Sequence, residues 1–136
     1  MVETSDLYIG RSNIPGSGKG LFTRVPIEKG ALIIEYTGNI RKWEEVKYNP
    51  DNFYIYFVSE DYVIDAKNNF KSLARYANDA KGLTQVRGLE NNSMFVNIEN
   101  RIYIKAIKKI AAHSEILVDY GEGYWETVKR NVKGER

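Results

Sequence analysis

The sequence predicts a mostly β fold in one domain. Three observations carry that expectation: short runs of β-branched and aromatic residues recur along the chain, glycine and polar turns separate them, and helical periodicity is confined to brief stretches. Leu7–Arg11 and residues 21–25 read as strands flanking a loop that contains Pro15, Gly16, Gly18 and Gly20. Residues 31–36 form the next strand, closed by Thr37-Gly38. The spacing over 41–48 suits two helical turns with Trp43 and Val46 inward, stopped by Asn49-Pro50-Asp51. A hairpin of residues 53–58 with Tyr62–Asp65 follows, turning at Ser59-Glu60-Asp61. Asn69 is placed to cap a short helical stretch over 70–76.

Residues 78–92 are polar, with Leu83, Val86 and Leu89 as apolar anchors, and read as an irregular, partly mobile loop. Ser93–Ile98 and Arg101–Ala106 pair across Glu99-Asn100 and offer Ile98, Ile102 and Ile104 to the core. His113 falls in a turn and is expected in solvent. Three consecutive aliphatic residues, Ile116, Leu117 and Val118, make 115–119 a buried strand that runs into Tyr120. Gly121 and Gly123 then turn the chain into an amphipathic helix over 124–132, with Trp125 and Val128 on one side.

At 136 residues the chain is long enough for one core and too short for two, so residues 1–136 are expected to be a single domain. The absence of cysteine excludes disulfides and thiolate zinc sites, and one histidine makes no metal cluster; an intracellular, metal-free protein is expected. No apolar run approaches the ~20 residues of a membrane span, and the stretch from Met1 to Arg11 lacks the layout of a signal peptide, so no membrane association is expected. A net charge of +2 gives little attraction for nucleic acid, which is not expected as a direct partner. Ten tyrosines are more informative. Ring area with a polar tip suits strands, interfaces and pocket walls alike, and aromatic strands beyond what one small core buries leave a homodimer face open.

The glycine-rich loop ending in Gly18-Lys19-Gly20 is by itself equally an ordinary turn, and it matches neither a phosphate-binding P-loop nor a complete dinucleotide fingerprint. Three stretches taken together say more. Gly18-Lys19-Gly20-Leu21-Phe22, Ser72-Leu73-Ala74-Arg75-Tyr76-Ala77-Asn78-Asp79 and Glu115-Ile116-Leu117-Val118-Asp119-Tyr120-Gly121 resemble, in that order, the signature segments of the SET-domain protein lysine methyltransferases, and Tyr36-Thr37-Gly38 matches the family's tyrosine-x-glycine segment. The resemblance spans nearly the whole chain. It implies a β-clip of small sheets with a carboxyl-terminal pseudoknot, without the cysteine-rich flanks of many chromatin enzymes. It implies S-adenosylmethionine as methyl donor, bound by Lys19, Gly20, Leu21, Arg75, Tyr76, Asn78 and Trp125. It implies Tyr120 as the catalytic residue, with Tyr36 and Val118 on the channel of a substrate lysine, and no metal.

The chain departs from the usual pattern of Asn-His-Ser followed shortly by Pro-Asn: Asp79 stands for the histidine and Asn91 for the proline, after a longer loop. Asp79 is not read as catalytic. Methyl transfer from a sulfonium to an amine is an in-line displacement that needs alignment rather than a covalent enzyme intermediate, which suits a chain with no evident nucleophile–histidine pair. A substrate lysine has a reference pKa of about 10.4, so an aromatic channel must strip water from the ammonium to deliver it neutral. Val118 stands where relatives often carry phenylalanine or tyrosine, and its small side chain leaves room for multiple methylation. The resemblance leaves the protein substrate open among histones, archaeal chromatin proteins and others. A noncatalytic interaction module that has lost donor affinity is the competing expectation, motivated by Asp79 and the long loop after it.

Overall fold

The computed structural model describes residues 1–47, 54–69, 72–82 and 84–120. Three small sheets pack around one core. β1 (Leu7–Arg11) and β2 (Lys19–Thr23) form an antiparallel pair. Their connection closes with the Ser12 N–H donating to the Gly18 carbonyl at 2.8 Å, and Gly16 and Gly18 take the left-handed conformation (φ 81° and 66°) that the turn requires.

The second sheet has β3 (Leu32–Glu35), β8 (Arg101–Ala106), β7 (Ser93–Ile98) and β9 (Val118–Asp119) in that spatial order, with β9 parallel to β7. The β7–β8 turn places Glu99 and Asn100 at φ 52° and 65°, the pair of left-handed residues that matches strand twist in a two-residue hairpin. Its register sets the faces: Ile102 and Ile104 are opposite Asn97 and Phe95, whereas Ile98 is opposite Arg101. Ile102 and Ile104 are fully buried and Ile98 is exposed, which corrects the expectation that Ile98 joins the core. The cause is the two-residue period of a strand, which sends Met94, Val96 and Ile98 to the outer face.

The third sheet orders β4 (Asn39–Arg41), β6 (Tyr62–Asp65) and β5 (Ile55–Ser59). Arg41, expected in a helix, instead pairs with Val63, and the helix shortens to one turn, α1 (Trp43–Val46), which buries Val46. The stretch before Tyr76 is also shorter than expected, a 3₁₀ turn over Leu73–Tyr76 preceded by Ser72 and without a side-chain cap. Asn69 sits too far upstream to cap it; its carbonyl accepts the Ser72 N–H at 3.1 Å instead.

The last described stretch threads through the others. Thr23 N–H donates to the Ser114 carbonyl at 3.2 Å, Ile116 N–H to Leu21 at 2.7 Å and Val118 N–H to Asn78 at 2.8 Å. On its other side the Leu117 carbonyl accepts N–H groups of Asn92 and Ser93 at 2.9 and 3.0 Å. Ladder geometry proper is limited to Val118–Asp119, flanked by single bridges from Glu115 to Phe22 and from Leu117 to Asn78. The segment is thus buried as expected but too divided among partners to be one five-residue strand. Ile116 and Val118 join Leu21, Ile33, Ile102 and Ile104 in the core. The proposed turn at Gly121 and Gly123 and the helix over 124–132 lie outside the described residues.

Gly38 lies tight against the end of β6: a Cβ there would lie 2.5 Å from the Asp65 carbonyl oxygen. Backbone cannot swing aside as a side-chain tip can. Gly38→Ala is therefore expected to destabilise the fold by about 1–3 kcal/mol, read as a lower denaturant midpoint with an unchanged slope.

Candidate active site

Tyr120 emerges at the end of the threaded segment and is held at both ends. Its N–H donates to Oδ2 of Asp79 at 2.9 Å, and its hydroxyl donates to the carbonyl of Ala77 in a short hydrogen bond. Its ring stacks on Phe95, centroids 6.3 Å apart. Phe95 in turn meets Tyr36 edge-on at 5.8 Å and Tyr56 at 5.0 Å, so four aromatic rings from separate parts of the chain adjoin one another. Tyr36 is buried and donates its hydroxyl to the Tyr54 carbonyl at 2.8 Å, which fixes it as wall. Burial pushes the Tyr56 phenol above its ordinary value, keeping it neutral.

Next to Ala77, Asn78 joins a part-buried polar junction. Glu115, 3% exposed, accepts from Ser12 Oγ at 2.7 Å, the Asn13 N–H at 2.8 Å and Asn78 Nδ2 at 3.3 Å. Asn78 Nδ2 also reaches the Lys19 carbonyl at 2.9 Å. A carboxylate buried this deeply is tolerated because donors satisfy it. Gly20 fits closely beside it, since a Cβ there would force the Glu115 carboxylate to shift from its partners. The glycine loop, the Asn78 segment and the final strand therefore meet at one side chain.

An open cleft of about 800 Å³ runs along the β1–β2 connection, lined by residues that include Ser12, Ile14, Gly18 and Lys19. Lys19 is exposed, whereas Leu21 is completely buried and offers only main chain. Arg75 is buried, its guanidinium donating to the carbonyls of Ala66 and Lys67 at 3.0 and 2.7 Å and lying 4.1 Å from the centre of the Tyr54 ring. Tyr76 flanks it, with 5.3 Å from the guanidinium to its ring centre. Val118 is wholly inside the core and Trp125 lies outside the described residues. His113 is exposed in a left-handed turn residue, φ 63°. Among the described residues no cluster of three metal-ligating side chains occurs.

Sequence reasoning brought Tyr36, Tyr120, Asn78, Lys19 and Gly20 to this region but missed Glu115, Tyr56 and Phe95. Alternation along β7 and β8 was a usable signal for Phe95, which faces the same side as Ile104. Nothing local marks Glu115, whose carboxylate partners stand 37 to 103 residues away.

The family model described as SET domain matches residues 18–121. The chain is 30% identical over 140 residues to the histone-lysine N-methyltransferase EZH2 of Chaetomium thermophilum, covering 93% of this chain and 9% of that protein. It spans only 5% to 50% of the length of the curated relatives it matches. Among solved structures, the methyltransferase domain of human PR domain-containing protein 2 superimposes with a TM-score of 0.63 at 26% identity, over 88% of this chain and 79% of that one. A chain of ctPRC2 in an autoinhibited conformation bound to S-adenosylmethionine does so with a TM-score of 0.68 at 26% identity, over 94% of this chain and 16% of that one. With the matched segment covering most of its length, the chain belongs to the SET-domain family.

Proposed function

We propose that the protein is an S-adenosylmethionine-dependent lysine methyltransferase whose substrate is a lysine in an accessible protein segment, with histones the first class to test. The observation that carries this reading is the double anchorage of Tyr120 beside Asn78, with its ring on the Phe95, Tyr56 and Tyr36 wall. Names of relatives that are histone-lysine methyltransferases, and a similar structure bound to the donor, support it.

The cleft that Gly18 and Lys19 line falls within the roughly 300–1,000 Å³ usual for small-molecule sites, which supports it as a place for the donor. Lys19, Gly20 and Leu21 would contribute main chain. Arg75 and Asn78 have side chains engaged within the protein, so they and Tyr76 would contribute chiefly as the segment that shapes the site. Trp125 is assigned the role of covering the adenine. When bound, the donor supplies a methyl on a positive sulfonium, which the lysine Nζ lone pair takes as the carbon–sulfur pair returns to sulfur.

The aromatic wall prepares that amine. It withholds water from the ammonium, so the proton leaves to solvent before transfer. Neutral phenols matter here, because a phenolate at Tyr56 would hold the lysine charged. The Tyr120 hydroxyl would orient the amine, and the Ala77 carbonyl to which it donates would turn a dipole toward the positive charge of the transferred methyl. Loss of donor affinity is not needed to explain Asp79, which is engaged in hydrogen bonds within the fold.

Incubation of the full chain with labelled S-adenosylmethionine and core histones or lysate proteins is expected to label lysines. Tyr120→Phe should lower that transfer by about 10²-fold or more. Unlabelled lysines, or labelling equal in the variant, would contradict the proposal. Val118 stands two residues before Tyr120, and Val118→Tyr is expected to shift products toward fewer methyls, read by mass spectrometry of the modified lysine. Folding holds the Tyr56 proton to higher pH than the unfolded chain does. Its contribution to stability is thus intact below about pH 10 and falls as pH climbs through the raised value. Tyr56→Phe should flatten that alkaline fall in denaturation midpoints.

A further inference from the structure

Asp79 occupies the place of the family's histidine, and its carboxylate is 4% exposed. Oδ1 accepts the Lys81 N–H at 2.8 Å and Nδ2 of Asn91 at 2.7 Å, and Oδ2 accepts the Tyr120 N–H at 2.9 Å. Asn91 is itself fixed, its Oδ1 accepting the Ala80 N–H at 2.8 Å. The polar loop between these residues is therefore pinned at its base by a buried clamp. Tyr120 stands one residue beyond the last rung of β9, where Asp119 pairs with Met94.

We propose that Asp79 is a positioning residue for methyl transfer: it holds the backbone of Tyr120 so that the phenol rests on the Ala77 carbonyl. The inference depends on the methyltransferase reading and extends it. Both anchors of Tyr120, the Ala77 carbonyl and the Asp79 carboxylate, lie on one three-residue segment, 77–79. The Tyr120 ring, which stacks on Phe95 of β7, is thereby also tied to the stretch assigned to the donor. A hydrogen bond to a carboxylate is about twice as strong as one between neutral groups, which suits a hold placed past the end of a ladder. Asn91, in the place of the family's proline, supplies the amide that orients the carboxylate.

Asp79→Asn tests this, because whichever way the new amide turns, its NH₂ faces an N–H donor. The oxygen is best kept toward Lys81 and Asn91, leaving Tyr120 without its acceptor. With the full chain, S-adenosylmethionine and core histones, kcat is expected to fall about 10- to 100-fold while KM and donor Kd stay within about threefold. In a Tyr120→Phe background the same change should cost less than about twofold, since the two side chains act as one unit. A loss that multiplies fully in that background, or one confined to KM or Kd, would overturn the proposal.

The Tyr120 amide signal in a nitrogen-15 spectrum supplies a readout independent of activity. It should shift and exchange faster in Asp79→Asn, and an unmoved signal would also overturn the proposal. Should Asp79→Asn fail to fold, Asp79→Glu keeps the charge but displaces the acceptor by one methylene; kcat should fall with donor Kd retained, and undiminished kcat would count against the hold. A parent protein that transfers no methyl overturns the activity itself. That result is distinct from an active parent whose amide signal and kcat are indifferent to Asp79.

Discussion

Backbone groups along residues 114–118 bond to distant parts of the chain, and the structure depends on those bonds. Their N–H and C=O groups are shared among residues 21–23, 78 and 92–93. Each buried backbone group left without a partner would cost free energy comparable to a lost hydrogen bond, so the three partner segments cannot drift independently. Their apolar side chains enforce the same arrangement, because Ile116 and Val118 pack in the core with Leu21, Ile102 and Ile104. Threading is thus both the fold's organising contact and the device that brings distant motifs together.

Two buried carboxylates sit at either end of this thread. Glu115 gathers Ser12, Asn13 and Asn78 at its start, and Asp79 receives the Tyr120 N–H at its end. Each places negative charge among donors rather than in the aromatic wall. The wall itself, Tyr36, Tyr56, Phe95 and Tyr120, is free to be apolar and neutral, as the proposed loss of a proton from a substrate lysine requires. Separation of charge from wall is what the proposed chemistry asks of the site.

The strands were legible because their signals are local. Leu7–Arg11, Ser93–Ile98 and Arg101–Ala106 appear where alternation and turns placed them, and Glu99-Asn100 is the hairpin turn the sequence suggests. The helix expected over 41–48 lost Arg41 to β4, since pairing with Val63 outweighs a weak local helical preference. Ile98 was misplaced by counting apolar residues without fixing register. Motif resemblance drew Tyr36, Asn78 and Tyr120 into the candidate site. Glu115, Asp79 and Asn91 were not assigned their roles, because a buried polar side chain is defined by partners that no local window contains.

Calorimetric titration of the full chain with S-adenosylmethionine tests the central claim most directly, that the thread assembles a donor site from the glycine loop and the Asn78 segment. The account predicts saturable binding of one donor per chain, lost in Glu115→Gln protein that still folds, because the junction of Ser12, Asn13 and Asn78 loses its charged acceptor. Absence of binding by the folded parent, or binding indifferent to Glu115, would contradict it.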